Sequence, residues 1–134
     1  MGLPDLKTRE NIHLLVTTFY SRVRKDDLIG PVFNGIIPED KWPAHMERLT
    51  DFWESVALGH YTYVGNPRTK HQEVDAHENH SITQAHFDRW LEMWFTTVDS
   101  LFEGPLAGHA KNTAEKMASV FFMAMRENRQ GNQK

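Results

Sequence analysis

The run Phe19-Tyr20-Ser21-Arg22-Val23-Arg24-Lys25-Asp26-Asp27-Leu28-Ile29-Gly30-Pro31-Val32-Phe33 holds the end of a helix and a sharp change of direction. Read backward from it, Ile12, Leu15, Val16, Phe19, Tyr20 and Val23 recur at steps of three and four, the period of an amphipathic helix. Thr8 stands where an N-cap belongs. The charged Lys25-Asp26-Asp27 predicts the helix end. Leu28 to Phe33, interrupted by Gly30 and Pro31, is too short and broken for a long element. It predicts a tight corner carrying apolar anchors, with Asn34-Gly35-Ile36-Ile37-Pro38 as a loop.

Further along, His45, Leu49, Phe52, Trp53 and Val56 mark a second long helix. Pro38 or Pro43 suits its first turn and Gly59 its C-cap. His60 to His86 is the least regular part. Gly65-Asn66-Pro67 predicts a turn, and Asp75 to Gln84 a loop, interrupted at most by a short helix around His71. Thr83 or Ser81 caps a third helix with the stripe Phe87, Trp90, Leu91, Trp94, Val98, Leu101 and Phe102. Gly104-Pro105 ends it. A fourth runs from about Leu106 to Asn128 along Ala110, Ala114, Met117, Ala118, Phe121 and Met125, and the tail Gln130 to Lys134 is expected to fray. No strand, repeat or low-complexity tract is legible. The expectation is an all-α fold, either an up-and-down bundle or globin-like crossings around a pocket.

The 134 residues (15.6 kDa) suit one domain spanning 1–134, with an ordered helical core over about 8–128. Hydrophobic residues make up 40% and charged residues 25%, the balance of a chain that buries a core. A net charge of −3 and a pI near 6.2 argue against nucleic acid as a partner. The absence of cysteine excludes disulfides, thiolate metal sites and a thiol nucleophile. There is no apolar run of signal-peptide length at the N-terminus and none of about 18 residues to cross a membrane. A soluble, cytoplasmic protein without a membrane partner is expected. Eight His, eight Phe, four Trp and three Tyr are the compositional excess.

His45 shares a helix face with Leu49, Phe52 and Trp53. Taken alone it reads as a core histidine satisfied by one hydrogen bond, or as a functional imidazole in an aromatic pocket. Tyr20 lies on the stripe of Val16, Phe19 and Val23, where a buried ring must find a partner for its hydroxyl. Trp90, beside Phe87, Leu91 and Trp94, carries an indole N–H that is a donor only. Both read as core residues when taken singly. His71 sits in an irregular segment, either as a solvated side chain or as a metal ligand. The group His71, His77, His80 and His86, with Glu73, Asp75 and Glu78 between, fits no strict metal-ligand spacing. A solvated loop is the plainer reading, and a non-haem metal site the sharper one.

Taken together, these positions resemble a known family. Phe19 to Asp26 followed by Ile29-Gly30-Pro31-Val32-Phe33 is similar to the opening of a truncated haemoglobin. Trp42-Pro43-Ala44-His45 and Phe52-Trp53 narrow the resemblance to the third group of that family. Tyr63-Val64-Gly65-Asn66-Pro67-Arg68-Thr69-Lys70-His71 resembles its proximal segment, and His86-Phe87-Asp88-Arg89-Trp90-Leu91 its next helix. The resemblance covers roughly residues 8 to 125. It implies a globin-like, two-over-two helical sandwich around a haem pocket, with haem b (iron protoporphyrin IX) as cofactor. His71 then matches the proximal iron ligand. Tyr20 and Trp90 match the distal hydrogen-bonding residues, and His45 a distal histidine that swings as a gate. Phe33 matches the aromatic residue packed on the porphyrin. Leu49, Phe52 and Trp53 match pocket walls, and Arg48 and Lys70 the partners of the propionates. The stretch Val74 to Gln84 is longer than this group leads one to expect.

The resemblance implies binding of O2, NO, CO or peroxide at a five-coordinate, His-ligated iron. Hydrogen-bond donors in a dry pocket slow ligand escape, which favours redox or detoxification chemistry over bulk oxygen transport. Nitric oxide dioxygenation, served by an electron-donating reductase, and peroxidase-like chemistry are the two enzymatic expectations. Tyr20, Trp90 and His45 are the candidate catalytic residues. A monomer is expected. The competing classes are a helical non-haem metal protein using the His71–His86 loop, and a sensor or interaction module on a globin scaffold.

Overall fold

Thr8 opens α1 (Arg9–Val23) by a reciprocal cap: its hydroxyl accepts the Asn11 N–H, and the Asn11 side chain accepts the Thr8 N–H. The computed structural model describes residues 2–59 and 83–132, with side chains described through residue 120 and at 122 and 123. Helix α1 closes at Arg24, whose N–H donates to the Tyr20 carbonyl, a little before the charged run. The Asp26 carboxylate then accepts the N–H groups of Leu28 and Ile29 and a bond from Arg89. The Arg89 guanidinium beside Asp26 holds that carboxyl below its ordinary range. One buried carboxylate thus shapes the corner and ties it to a distant helix.

The corner differs from the sequence expectation. Gly30–Ile36 is a short helix, α2, and Asn34 to Ile36 belong to it rather than to a loop. Pro31 in its first turn has its φ preset for a helix. Gly30 permits the placement: a Cβ there would lie 2.9 Å from the Arg24 carbonyl oxygen and 3.0 Å from that of Val23. Backbone thus lies on backbone where α2 leaves α1.

A 3₁₀ turn, Glu39–Lys41, leads into α3 (Trp42–Leu58), with Pro43 in its first turn and Gly59 closing it at φ 72°. Thr83 caps α4 (Gln84–Leu101), and its N–H donates to His86 Nδ1 at 2.9 Å. α5 runs Pro105–Asn132, past Asn128 and into the first residues of the tail expected to fray. Its first turn is capped from far away in sequence. Asp5 accepts the N–H groups of Leu106 and Ala107 at 3.1 and 2.8 Å.

α1 packs on α3 and α4, and α5 packs on the same two helices, so that the four form two crossed layers. Ile12, Val16, Phe19, Val23, Trp94 and Val98 have no exposure, and Ala110 and Ala114 let α5 approach closely. Each large apolar side chain so buried contributes about 1.5–3 kcal/mol. Polar ties fix the crossings. Arg9 reaches Glu47, Asp51 and Glu54 on α3, and Arg22 donates to the Thr97 hydroxyl on α4 at 3.1 Å. No strand occurs among the described residues. The fold is all-α and globin-like.

Candidate functional site

Phe19 and Tyr20 are adjacent on α1 and point to different neighbours. Phe19 is T-shaped to Trp94 at 4.9 Å, in the centre of the core. Tyr20 turns toward α2 and α3. Its ring lies edge-on to Phe33 at 5.7 Å and to His45 at 6.0 Å, and tilted to Trp42 at 6.1 Å. The Trp90 indole N–H, on α4, acts on its hydroxyl oxygen. Burial pushes the phenol up to about 12, an effect the Trp90 hydrogen bond only partly offsets. Tyr20 is therefore a protonated phenol at any physiological pH. A protonated phenol keeps its O–H as a donor.

His45 is partly buried on α3 between two edge-on rings, Tyr20 at 6.0 Å and Trp42 at 5.7 Å. Burial, with a contribution from the Arg48 charge, lowers its pKa to about 4. It is therefore neutral near pH 7, with one nitrogen a donor and the other an acceptor.

Trp42 is 5% exposed, and its indole N–H is a buried donor without a partner. The Arg24 guanidinium lies 4.5 Å above its ring. A cleft of about 400 Å³ reaches Tyr20 and Trp42 from the side of Ser21, Arg24 and Asn34.

Of the residues singled out in the sequence, Tyr20, Phe33, His45 and Trp90 thus come together. Leu49 and Phe52 are partly buried on α3, and Arg48 is exposed on it. Trp53 is a core residue, 3% exposed and stacked on Trp94 at 4.5 Å. Lys70 and His71 lie outside the described residues, as do His77 and His80. His86 is engaged in capping α4. Among the described residues no group of three or more His, Asp or Glu could hold a metal ion. Sequence reasoning quoted Trp42 only as part of a motif. Its position three residues before His45 was the available signal, since i and i+3 share a helix face.

The arrangement is a buried phenol, an indole that holds it and a neutral imidazole, set between crossed helices. The chain belongs to the bacterial-like globins: the model of that family matches residues 6–128. Globins bind haem and, through it, small diatomic gases. Among curated proteins the chain is 29% identical over 115 residues to the group 3 truncated hemoglobin ctb of Campylobacter jejuni, covering 84% of this chain and 87% of that one. Among solved structures it matches the crystal structure of a group III truncated hemoglobin from Campylobacter jejuni. The TM-score is 0.81 at 27% identity, over 93% of this chain and 95% of that one. Among the described residues no helix is long and apolar enough to cross a membrane.

Proposed function

We propose that this globin binds haem b with His71 as the proximal iron ligand and uses its distal pocket for redox or detoxification chemistry on a diatomic. The packing of Phe33 and His45 edge-on against the buried Tyr20 is the observation that carries this reading. The described residues suit the distal half of such a group. Phe33, Leu49, Phe52 and Trp90 are apolar and only partly buried, and Trp42 keeps a donor unspent. Haem, when bound, supplies the iron that ligates the diatomic and exchanges electrons. Trp90 acts on the Tyr20 oxygen from α4, and the phenolic proton is left for whatever acceptor lies in the pocket. A donor oriented before the ligand arrives costs nothing to reorganise. In this reading Phe33 packs on the porphyrin, and Arg48 and Lys70 meet the propionates. Trp53 supports the wall from the core.

A pocket that retains its ligand favours chemistry over delivery. In nitric oxide dioxygenation, dioxygen and nitric oxide combine to nitrate, with one electron supplied by an external reductase. The neutral imidazole of His45 favours a second reading, peroxidase-like chemistry, in which its donor and acceptor nitrogens would relay a proton beside the pocket rather than hold one. The protein acts as a monomer in either case. Absorption spectra of the ferric, reduced and CO-bound protein test the cofactor. A strong Soret band that shifts at each step is expected, and a protein still colourless after haem is added overturns the proposal. Rapid mixing of the oxygenated protein with nitric oxide then separates the two chemistries. Stoichiometric nitrate supports dioxygenation, and its absence leaves peroxide turnover.

A further inference from the structure

A buried donor without an acceptor carries a cost comparable to a lost hydrogen bond, so such groups are rare and call for a reason. Trp42 Nε1 is the one such side-chain atom among the described residues. An indole offers a donor and no acceptor, so only an acceptor can satisfy it. Two other rings that carry acceptor atoms lie against it, Tyr20 and His45. His45 is the nearer of the two, three residues further along α3 on the same face, with ring centroids 5.7 Å apart and planes at 89°. A neutral imidazole keeps one nitrogen lone pair, and the terminal torsion of a histidine side chain is broad.

We infer that Trp42 is a positioning residue whose indole N–H docks on a ring nitrogen of His45, holding the imidazole on the solvent side of Tyr20 and fixing its tautomer. The consequence is chemical as well as steric. A donor bound to one nitrogen forces the proton onto the other. The docked imidazole therefore turns a second N–H outward, and its basic nitrogen is capped. Undocked, the same ring rotates toward Tyr20 with that nitrogen free. Trp42 thereby sets the fraction of time His45 acts as a base. The Arg24 guanidinium, 4.5 Å from the centre of the indole ring, steadies the donor.

The inference rests on the distal role proposed for His45, and its test is independent of turnover. The ¹⁵N-labelled protein is reduced and saturated with CO, which makes haem iron diamagnetic, and its tryptophan and histidine side-chain nitrogens are assigned. A through-hydrogen-bond N–N coupling between Trp42 Nε1 and one His45 ring nitrogen is expected. One His45 tautomer should be in roughly tenfold excess, about what one net hydrogen bond supports. In Trp42→Phe, which keeps an aromatic ring and deletes the donor, the tautomer ratio should relax toward that of an unpartnered histidine imidazole. An indole without that coupling, or a tautomer ratio unchanged in Trp42→Phe, overturns the inference. Should Trp42→Phe fail to fold, the coupling in the unaltered protein decides alone. A missing Soret band would instead strike the haem reading, and the coupling is then read on the protein as isolated.

Discussion

Trp53 and Trp94 stack with ring centroids 4.5 Å apart and planes 25° from parallel, although they belong to α3 and α4. Trp94 in turn lies parallel to Trp90 at 6.0 Å and donates its own N–H to the Ala110 carbonyl at 3.3 Å. The indole that holds Tyr20 is therefore the end of a column of tryptophans rooted in the core. Trp53→Ala should cost about 3–5 kcal/mol of stability by leaving a cavity. It should also loosen Trp90 and speed oxygen dissociation, although Trp53 is a core residue. Denaturant unfolding and stopped-flow oxygen release, run on the same variant, check both halves.

Tyr20→Phe removes the phenolic donor while keeping the ring packed on Phe19 and Phe33. Oxygen dissociation should rise by roughly five- to 150-fold, the effect of a donor worth about 1–3 kcal/mol. Trp90→Phe should act in the same direction, partly through Tyr20. The double variant should then fall short of the product of the single effects. Unaltered rates in both single variants would place the distal donors elsewhere.

His71→Ala should abolish or severely weaken iron ligation. The expected sign is a shifted, diminished Soret band that added imidazole restores. A full, unshifted spectrum in the variant would remove His71 from the iron.

The burial of neutral His45 makes stability depend on pH in a set direction. Above its ordinary value of 6.5 the imidazole is neutral folded or unfolded and contributes no slope. Below that, the unfolded chain takes up a proton that the fold resists, so stability falls as pH falls, levelling off near 4. His45→Leu should flatten this part of the curve. The denaturation midpoint between pH 7 and 4 measures it, and identical slopes in both proteins would show the imidazole to be solvated.

The long helices were legible because burial imposes a period: Ile12 to Val23 can hide together only on a helix. The Thr8, Gly59 and Thr83 caps were legible for equally local reasons. α2 was not, because Gly30, Asn34 and Gly35 are poor helix formers, although Asn34 is tied to Arg24 through both its amide atoms. The site was legible unevenly. Tyr20, His45 and Trp90 each read singly as core residues, and only the order of several motifs suggested a pocket. Trp53 reads as pocket wall by resemblance, whereas stacking on Trp94 makes it core. The unspent donor of Trp42 could not be read at all, since a missing partner is a property of three-dimensional surroundings. That α5 continues to Asn132 was hidden by Gly131 and the polar residues near it, which carry no apolar period.

Gly30 stands apart from the pocket, yet it sets a dimension of it. A single methyl added there would meet the carbonyl oxygens of Arg24 and Val23 within 3.0 Å. Backbone cannot yield as a side chain does, so α2 would have to ride outward as a unit. Phe33 travels with α2, and the 5.7 Å between its ring and that of Tyr20 is the quantity that would grow. In the proposed pocket Gly30 would work as a shim of minimum thickness beneath Phe33. Which ligands the chamber admits by size is then adjustable from a position that no ligand touches, and Gly30→Ala should widen that range.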